Sequence, residues 1–137
     1  MTAVPRHSSQ SEVEGEMAEW VKRGYGKGEI DRAGAYLVPW WISEEPNVPP
    51  EISKTYPIVQ NWRTCHGLPL NVFQAALRAR AKRLGRPCII AQRMKRFSSV
   101  MNKLAREPQM KLSQMQDLGG CRAILVDVSA VDALYGM

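Results

Sequence analysis

The sequence predicts an α/β (α+β) domain, and three observations carry that reading. Two short apolar runs, 88–93 (CIIAQR) and 121–128 (CRAILVDV), have the β-branched, bounded character of strands. A helical stretch that Pro108 stops lies between them. After the second run, Ser129 is placed to cap the start of another helix. Strand, helix, strand and a helix start build a layered α/β unit, expected as a parallel or mixed sheet flanked by helices.

Composition sets the limits. A chain of 137 residues, 45% hydrophobic and 23% charged, is long enough for one domain that buries about two-thirds of its unfolded surface. No apolar run approaches the ~18 residues that span a bilayer, and the first residues lack the apolar core of a secretory signal. A cytoplasmic protein with no membrane partner is the expectation. Cys65, Cys88 and Cys121 form no C-x-x-C pair and the two histidines lie far apart in sequence, so the cysteines read as reduced, packed residues rather than zinc ligands.

In chain order, residues 1–24 read as a polar, flexible leader and 25–137 as the domain. A short helix is predicted over 29–38, stopped by Pro39, with Trp40 and Trp41 as packing residues. Residues 44–50 (EEPNVPP) form a proline-rich loop. A helix over 51–65 follows, with Pro57 acceptable only near its first turn, and His66 to Pro69 break it. Asn71 is expected to cap the strongest helix, which ends at Gly85 and Pro87. Its Arg78, Arg80, Lys82 and Arg83 read as a solvated face. Ser98 or Ser99 is expected to cap the next helix, and 109–119 to connect it to the second strand.

Charge singles out one part of this order. The net charge is +6, yet Arg78 to Arg106 holds ten basic and no acidic residues, which leaves the rest of the chain acidic. Such a positive centre suits a focused anionic ligand. From Arg93 onward, six cations precede Asp117, the only acid between Glu107 and Asp127, which is followed by Gly119, Gly120 and Arg122. Arg93 and Lys95 are two apart on an extended run and so point the same way. Ser99 is expected at a helix start, a natural phosphate site, and Lys103 and Arg106 share a helix face. Asp117 is either a magnesium ligand beside phosphates or a turn residue before two glycines. Gly119 and Gly120 either admit a ligand close to the backbone or turn the chain. Arg122 can stack on a base as well as bind phosphate.

The spacing Arg93-x-Lys95-x-x-x-Ser99-Val100-x-x-Lys103-x-x-Arg106, then Asp117-x-x-Gly120-x-Arg122, resembles the synthetase domain of the RelA/SpoT family. Upstream, Gln60-Asn61-Trp62-Arg63, His66 and Pro69-Leu70 resemble one branch of it, so the likeness spans about 25–128. That resemblance implies a nucleotidyltransferase-like fold that transfers pyrophosphate from ATP to the 3′-hydroxyl of GDP or GTP, making the alarmone (p)ppGpp. It implies that Arg93 and Arg122 sandwich the adenine, that Lys95, Ser99, Lys103 and Arg106 hold the ATP phosphates, and that Asp117 is the catalytic residue that binds Mg²⁺.

The family's later tyrosine-bearing loop and strand glutamate have no counterpart before Met137, and Asp127 points away from Arg122 by strand parity. The expectation is therefore the donor half of a synthetase, truncated after the second strand and with little turnover alone. The family hydrolase's paired histidines and H-D are absent too, so degradation of the alarmone is not expected. Two alternatives stand beside this reading: an ATP-binding fragment without catalysis, and a relative that binds RNA or pyrophosphorylates tRNA ends. A sheet of two clear strands also leaves edges open, so a homo-oligomer or a partner chain is expected to cover it.

Overall fold

The computed structural model describes residues 19–137. Most of the expected leader lies outside the described residues. Helix α1 spans Lys27–Ser43, α2 Ile52–Thr64 and α3 Gly67–Leu84; strand β1 spans Cys88–Met94; α4 spans Phe97–Arg106. Two single 3-10 turns, Leu112–Gln114 and Gln116–Leu118, lead into β2 at Gly119–Leu125, and α5 covers Val128–Tyr135. The architecture is α+β.

Two packing units share this chain. In the first, α1 crosses α2 and α4 and rests on the first 3-10 turn. Its core is Ile30, Ala33, Leu37, Ile52, Val59, Val100, Met101, Leu104, Leu112, Met115 and Leu118. α4 shows why it joins: Val100, Met101 and Leu104 fall on one stripe and are buried, while Ser99, Asn102, Lys103 and Arg106 fall on the other. Phe97 extends that stripe against Trp41 and Tyr56, at ring centroid distances of 5.8 and 4.8 Å. Trp40 and Trp41 do pack against this core.

The second unit is the sheet with α3 and α5 on one face. β1 and β2 pair antiparallel, with Cys88 opposite Leu125 and Met94 opposite Gly119. This corrects the parallel or mixed arrangement expected from the order strand, helix, strand. The cause is the connection: the Lys95 amide donates to the Leu118 carbonyl at 2.7 Å, so β2 must start where β1 ends and run back along it. A crossover to a parallel strand would have carried the chain to the far end of β1.

Several element edges also move. α1 runs through Pro39, which was expected to stop it. Pro39 and Ala35, whose carbonyl loses its partner, are both exposed, so water can take the freed acceptor, while Leu37 and Trp41 hold the helix to the core. α2 likewise carries Pro57 in its interior rather than in its first turn. α3 begins at Gly67, not after Asn71, because His66 to Pro69 are its first turn. Pro69 is its third residue, where no amide donor is needed, and the Leu70 amide donates to the His66 carbonyl at 3.0 Å. Gly85 closes α3 at φ 68°, the left-handed ending expected of it.

α4 starts at Phe97 after an extended Arg96, so neither Ser98 nor Ser99 is its cap. β2 begins two residues early and ends at Leu125. Asp127, not Ser129, caps α5, its Oδ1 accepting from the Ala130 amide at 2.8 Å. All three cysteines are free and half-buried.

Candidate functional site

The residues singled out by charge converge at the seam between the two units. Strand register places Arg93 opposite Gly120 and Arg122 opposite Ala91. Both arginines therefore lie on the face that α3 does not cover, diagonal to one another across the pair. Gly120 and Ala91, the two small residues between them, leave a flat floor. This floor belongs to a cavity of ≈ 450 Å³ lined by Arg93, Lys95, Asp117, Gly119, Gly120 and Arg122, with Ala91, Gln92 and Cys121 completing it.

The two glycines differ in role. A Cβ on Gly119 would stand 3.3 Å from the Leu70 side chain, so this glycine lets β2 close on α3. Gly120 has nothing within 4 Å of its Cβ position, and its backbone is open to the cavity.

α4 forms the adjoining wall. A second concavity of ≈ 520 Å³ is lined by Lys95, Ser99, Asn102, Ala105 and Arg106, and Lys95 belongs to both. Ser99 thus reaches the site from the first turn of the helix, without serving as its cap. Lys103 lines neither concavity. Its ammonium instead donates to Asp117 Oδ1 at 2.8 Å, and Lys95 Nζ donates to Asp117 Oδ2 at 3.1 Å. Those two hydrogen bonds, Lys103's foremost, lower the Asp117 pKa to about 2. Lys95 and Lys103 are four-fifths buried along their side chains, at 20% and 19% exposure, whereas Asp117 is 51% exposed. Among the described residues, Arg93, Arg106 and Arg122 have no acidic partner within ion-pair distance.

The upstream residues that share the resemblance turn out to brace this seam. Arg63 donates through Nη1 to the Lys95 carbonyl at 3.3 Å and through Nε to Gln60 Oε1 at 2.8 Å. Trp62 Nε1 donates to the Leu112 carbonyl at 3.3 Å. Asn61 holds the entering chain, accepting from the Gly24 amide at 2.8 Å and donating to the Lys22 carbonyl at 2.9 Å. From α1, Asp31 accepts the Ser113 amide at 2.8 Å and the Ser113 hydroxyl at 3.0 Å, which fixes the turn four residues before Asp117. Gln92, Asn102 and Arg63 were not singled out as site residues. For Asn102 the signal was available, because it lies three residues after Ser99 on the polar side of α4.

For a metal ion the seam offers one carboxylate, the half-exposed Asp117. Both Asp117 oxygens already accept from ammonium groups, and among the described residues no three His, Cys, Asp or Glu side chains cluster to hold an ion. Asp127 stays out of the site as a helix cap beside Arg86, at 3.7 Å. Tyr135 is 92% exposed on α5 and serves no cavity. What the seam can do is receive a multiply charged anion beside a flat, arginine-flanked floor. Among the described residues, no helix is long and apolar enough to cross a membrane. Compared with protein-family models and with curated proteins, the chain matches none.

Proposed function

We propose that this chain carries the ATP-binding side of a RelA/SpoT-type pyrophosphotransferase, within a nucleotidyltransferase-like fold. The reaction is transfer of pyrophosphate from ATP to the 3′-hydroxyl of GDP or GTP. The observation that carries the reading is convergence: Arg93, Lys95, Asp117, Gly120 and Arg122, from two strands and a turn, line one cavity. Ser99 and Arg106 line the concavity beside it.

In this reading Arg93 and Arg122 flank the adenine over the Ala91–Gly120 floor, where planar guanidinium groups stack on a base. Lys95, Ser99, Lys103 and Arg106 take the phosphate oxygens, and the open Gly120 backbone admits the chain of phosphates. The 3′-oxygen of the acceptor bonds to the β-phosphorus as its proton passes to solvent, while the bridging α–β oxygen leaves with AMP. Such a displacement needs positioning and charge neutralisation more than covalent help from the protein. Mg²⁺ would enter with the nucleotide as Mg·ATP, and Asp117, the carboxylate that lines the cavity and is half exposed, is the residue that would hold it.

A second reading, ATP binding without turnover, is favoured by the acid count. Asp117 is the one carboxylate lining the cavity, and two ammonium groups hold it. Labelled ATP incubated with GDP or GTP and separated by thin-layer chromatography tells the two apart. A guanosine product labelled at its 3′ pyrophosphate supports transfer. ATP binding with no such product leaves only the second reading.

A further inference from the structure

We propose that Asp117 is an internal stand-in for the polyphosphate: it occupies the anion position between Lys95 and Lys103, and an entering polyphosphate displaces it. The proposal rests on the reading of this cavity as a polyphosphate site, and on nothing about the nucleotide's base or sugar. Three observations support it.

The first is geometry. Asp117 presents one oxygen to each ammonium, at 2.8 and 3.1 Å, as two oxygens of one phosphate group would. The second is the order of layers. Both lysine stems are four-fifths buried and the carboxylate is half exposed, so the cations are the fixed base of the site and the acid is its removable cover. The backbone beneath Asp117 is anchored on both sides, by the Met115 amide to the Leu112 carbonyl at 3.2 Å and by the Lys95 amide to the Leu118 carbonyl at 2.7 Å. Displacement therefore needs only a side-chain rotation.

The third is charge. Arg93, Lys95, Lys103, Arg106 and Arg122 outnumber the single carboxylate five to one around the seam. One carboxylate leaves most of that charge unanswered, so an anion with several charges gains far more from the site than Asp117 does. A singly charged anion offers nothing that Asp117 does not already supply. The cover thus acts as a filter that admits polyphosphates and refuses monoanions.

The test is calorimetric titration of inorganic pyrophosphate into the full chain, with a chelator present to remove divalent ions. Asp117→Asn keeps the shape and removes the competing charge. It is expected to bind pyrophosphate roughly three- to tenfold tighter than the wild type, the size of two half-exposed ion pairs removed. It should also admit a monoanion such as acetate that the wild type refuses, while Asp117→Glu stays near wild type. If Asp117→Asn does not fold, Asp117→Ser serves the same comparison.

Equal or weaker pyrophosphate binding in the neutral variants overturns the proposal, because it makes Asp117 an organiser of the lysines rather than their occupant. No pyrophosphate binding by any form overturns this proposal, and Mg·ATP binding by the same proteins would leave the nucleotide reading standing. Tighter pyrophosphate binding in a chain that ignores ATP removes the proposed function and leaves this inference intact.

Discussion

Lys103 Nζ sits 2.8 Å from Asp117 Oδ1, joining the polar face of α4 to the turn that opens β2. With Lys95 on the other oxygen at 3.1 Å, this pair closes the seam between the helical core and the sheet. A depressed carboxyl pKa links the contact to pH. The unfolded value is about 3.8, and the folded one is about 2. The group therefore stabilises the fold above the unfolded value, and that contribution is lost as pH falls through the folded one. Half-exposure of Asp117 keeps it modest, up to about 1 kcal/mol. Urea melts of wild type and Asp117→Asn should show the wild type ahead at pH 6 and the gap closing between pH 4 and pH 2. A gap that persists at pH 2 contradicts the pairing.

Arg63 reaches the same seam from α2, through the Lys95 carbonyl. Arg63→Ala should weaken ATP binding roughly three- to tenfold, the range of one ordinary hydrogen bond, because Arg63 acts through the Lys95 backbone rather than on the ligand. Arg63→Lys should recover part of that loss, because an ammonium can still donate to a carbonyl. Equal ATP affinities for Arg63→Ala and wild type would remove Arg63 from the account of the site.

Gly34 packs α1 against Leu112 and Leu104. An added Cβ would stand 3.0 Å from Leu112 Cβ and 3.3 Å from Leu104 Cδ1. Gly34→Ala should therefore destabilise by about 1–2 kcal/mol, overpacking outweighing the helix propensity gained. A thermal midpoint lowered by several degrees is the expected readout. A raised midpoint would mean that α1 shifts freely over the 3-10 turn.

How far the residues alone carried the fold depends on which physical signal each element used. The helix that Pro108 stops and the β-branched runs of both strands were legible because local breaker and residue type agree there. The ending of α3 at Gly85 was legible for the same reason, since glycine alone takes that backbone conformation cheaply. Pro39 misled because tertiary packing overrode a local rule, and Asn71 because Pro69 opens a helix as well as it breaks one.

The antiparallel register rests on pairing between residues far apart in the chain, from Met94 opposite Gly119 to Cys88 opposite Leu125, which no local pattern encodes. Spacing did group Arg93, Lys95, Asp117 and Arg122. The pairing of Asp117 with two lysines was not legible, because it joins a helix to a turn through side chains fourteen and twenty-two residues away.

Ile89 and Ile124 face each other across the strands on the uncovered face, 65% and 51% exposed. An apolar pair of this kind favours association at high concentration. The double variant Ile89→Thr, Ile124→Thr keeps β-branched side chains and should sediment as a smaller species, or stay monomeric at concentrations where the wild type associates. Unchanged sedimentation would show that this face does not drive contact between chains.

Calorimetric titration of ATP into wild type, Arg93→Ala and Arg122→Ala tests the nucleotide site most directly. Each arginine contributes one charged contact, so each variant should lose about tenfold or more in affinity with its fold intact by circular dichroism. No ATP binding by the wild type, or equal binding by all three proteins, would contradict the account.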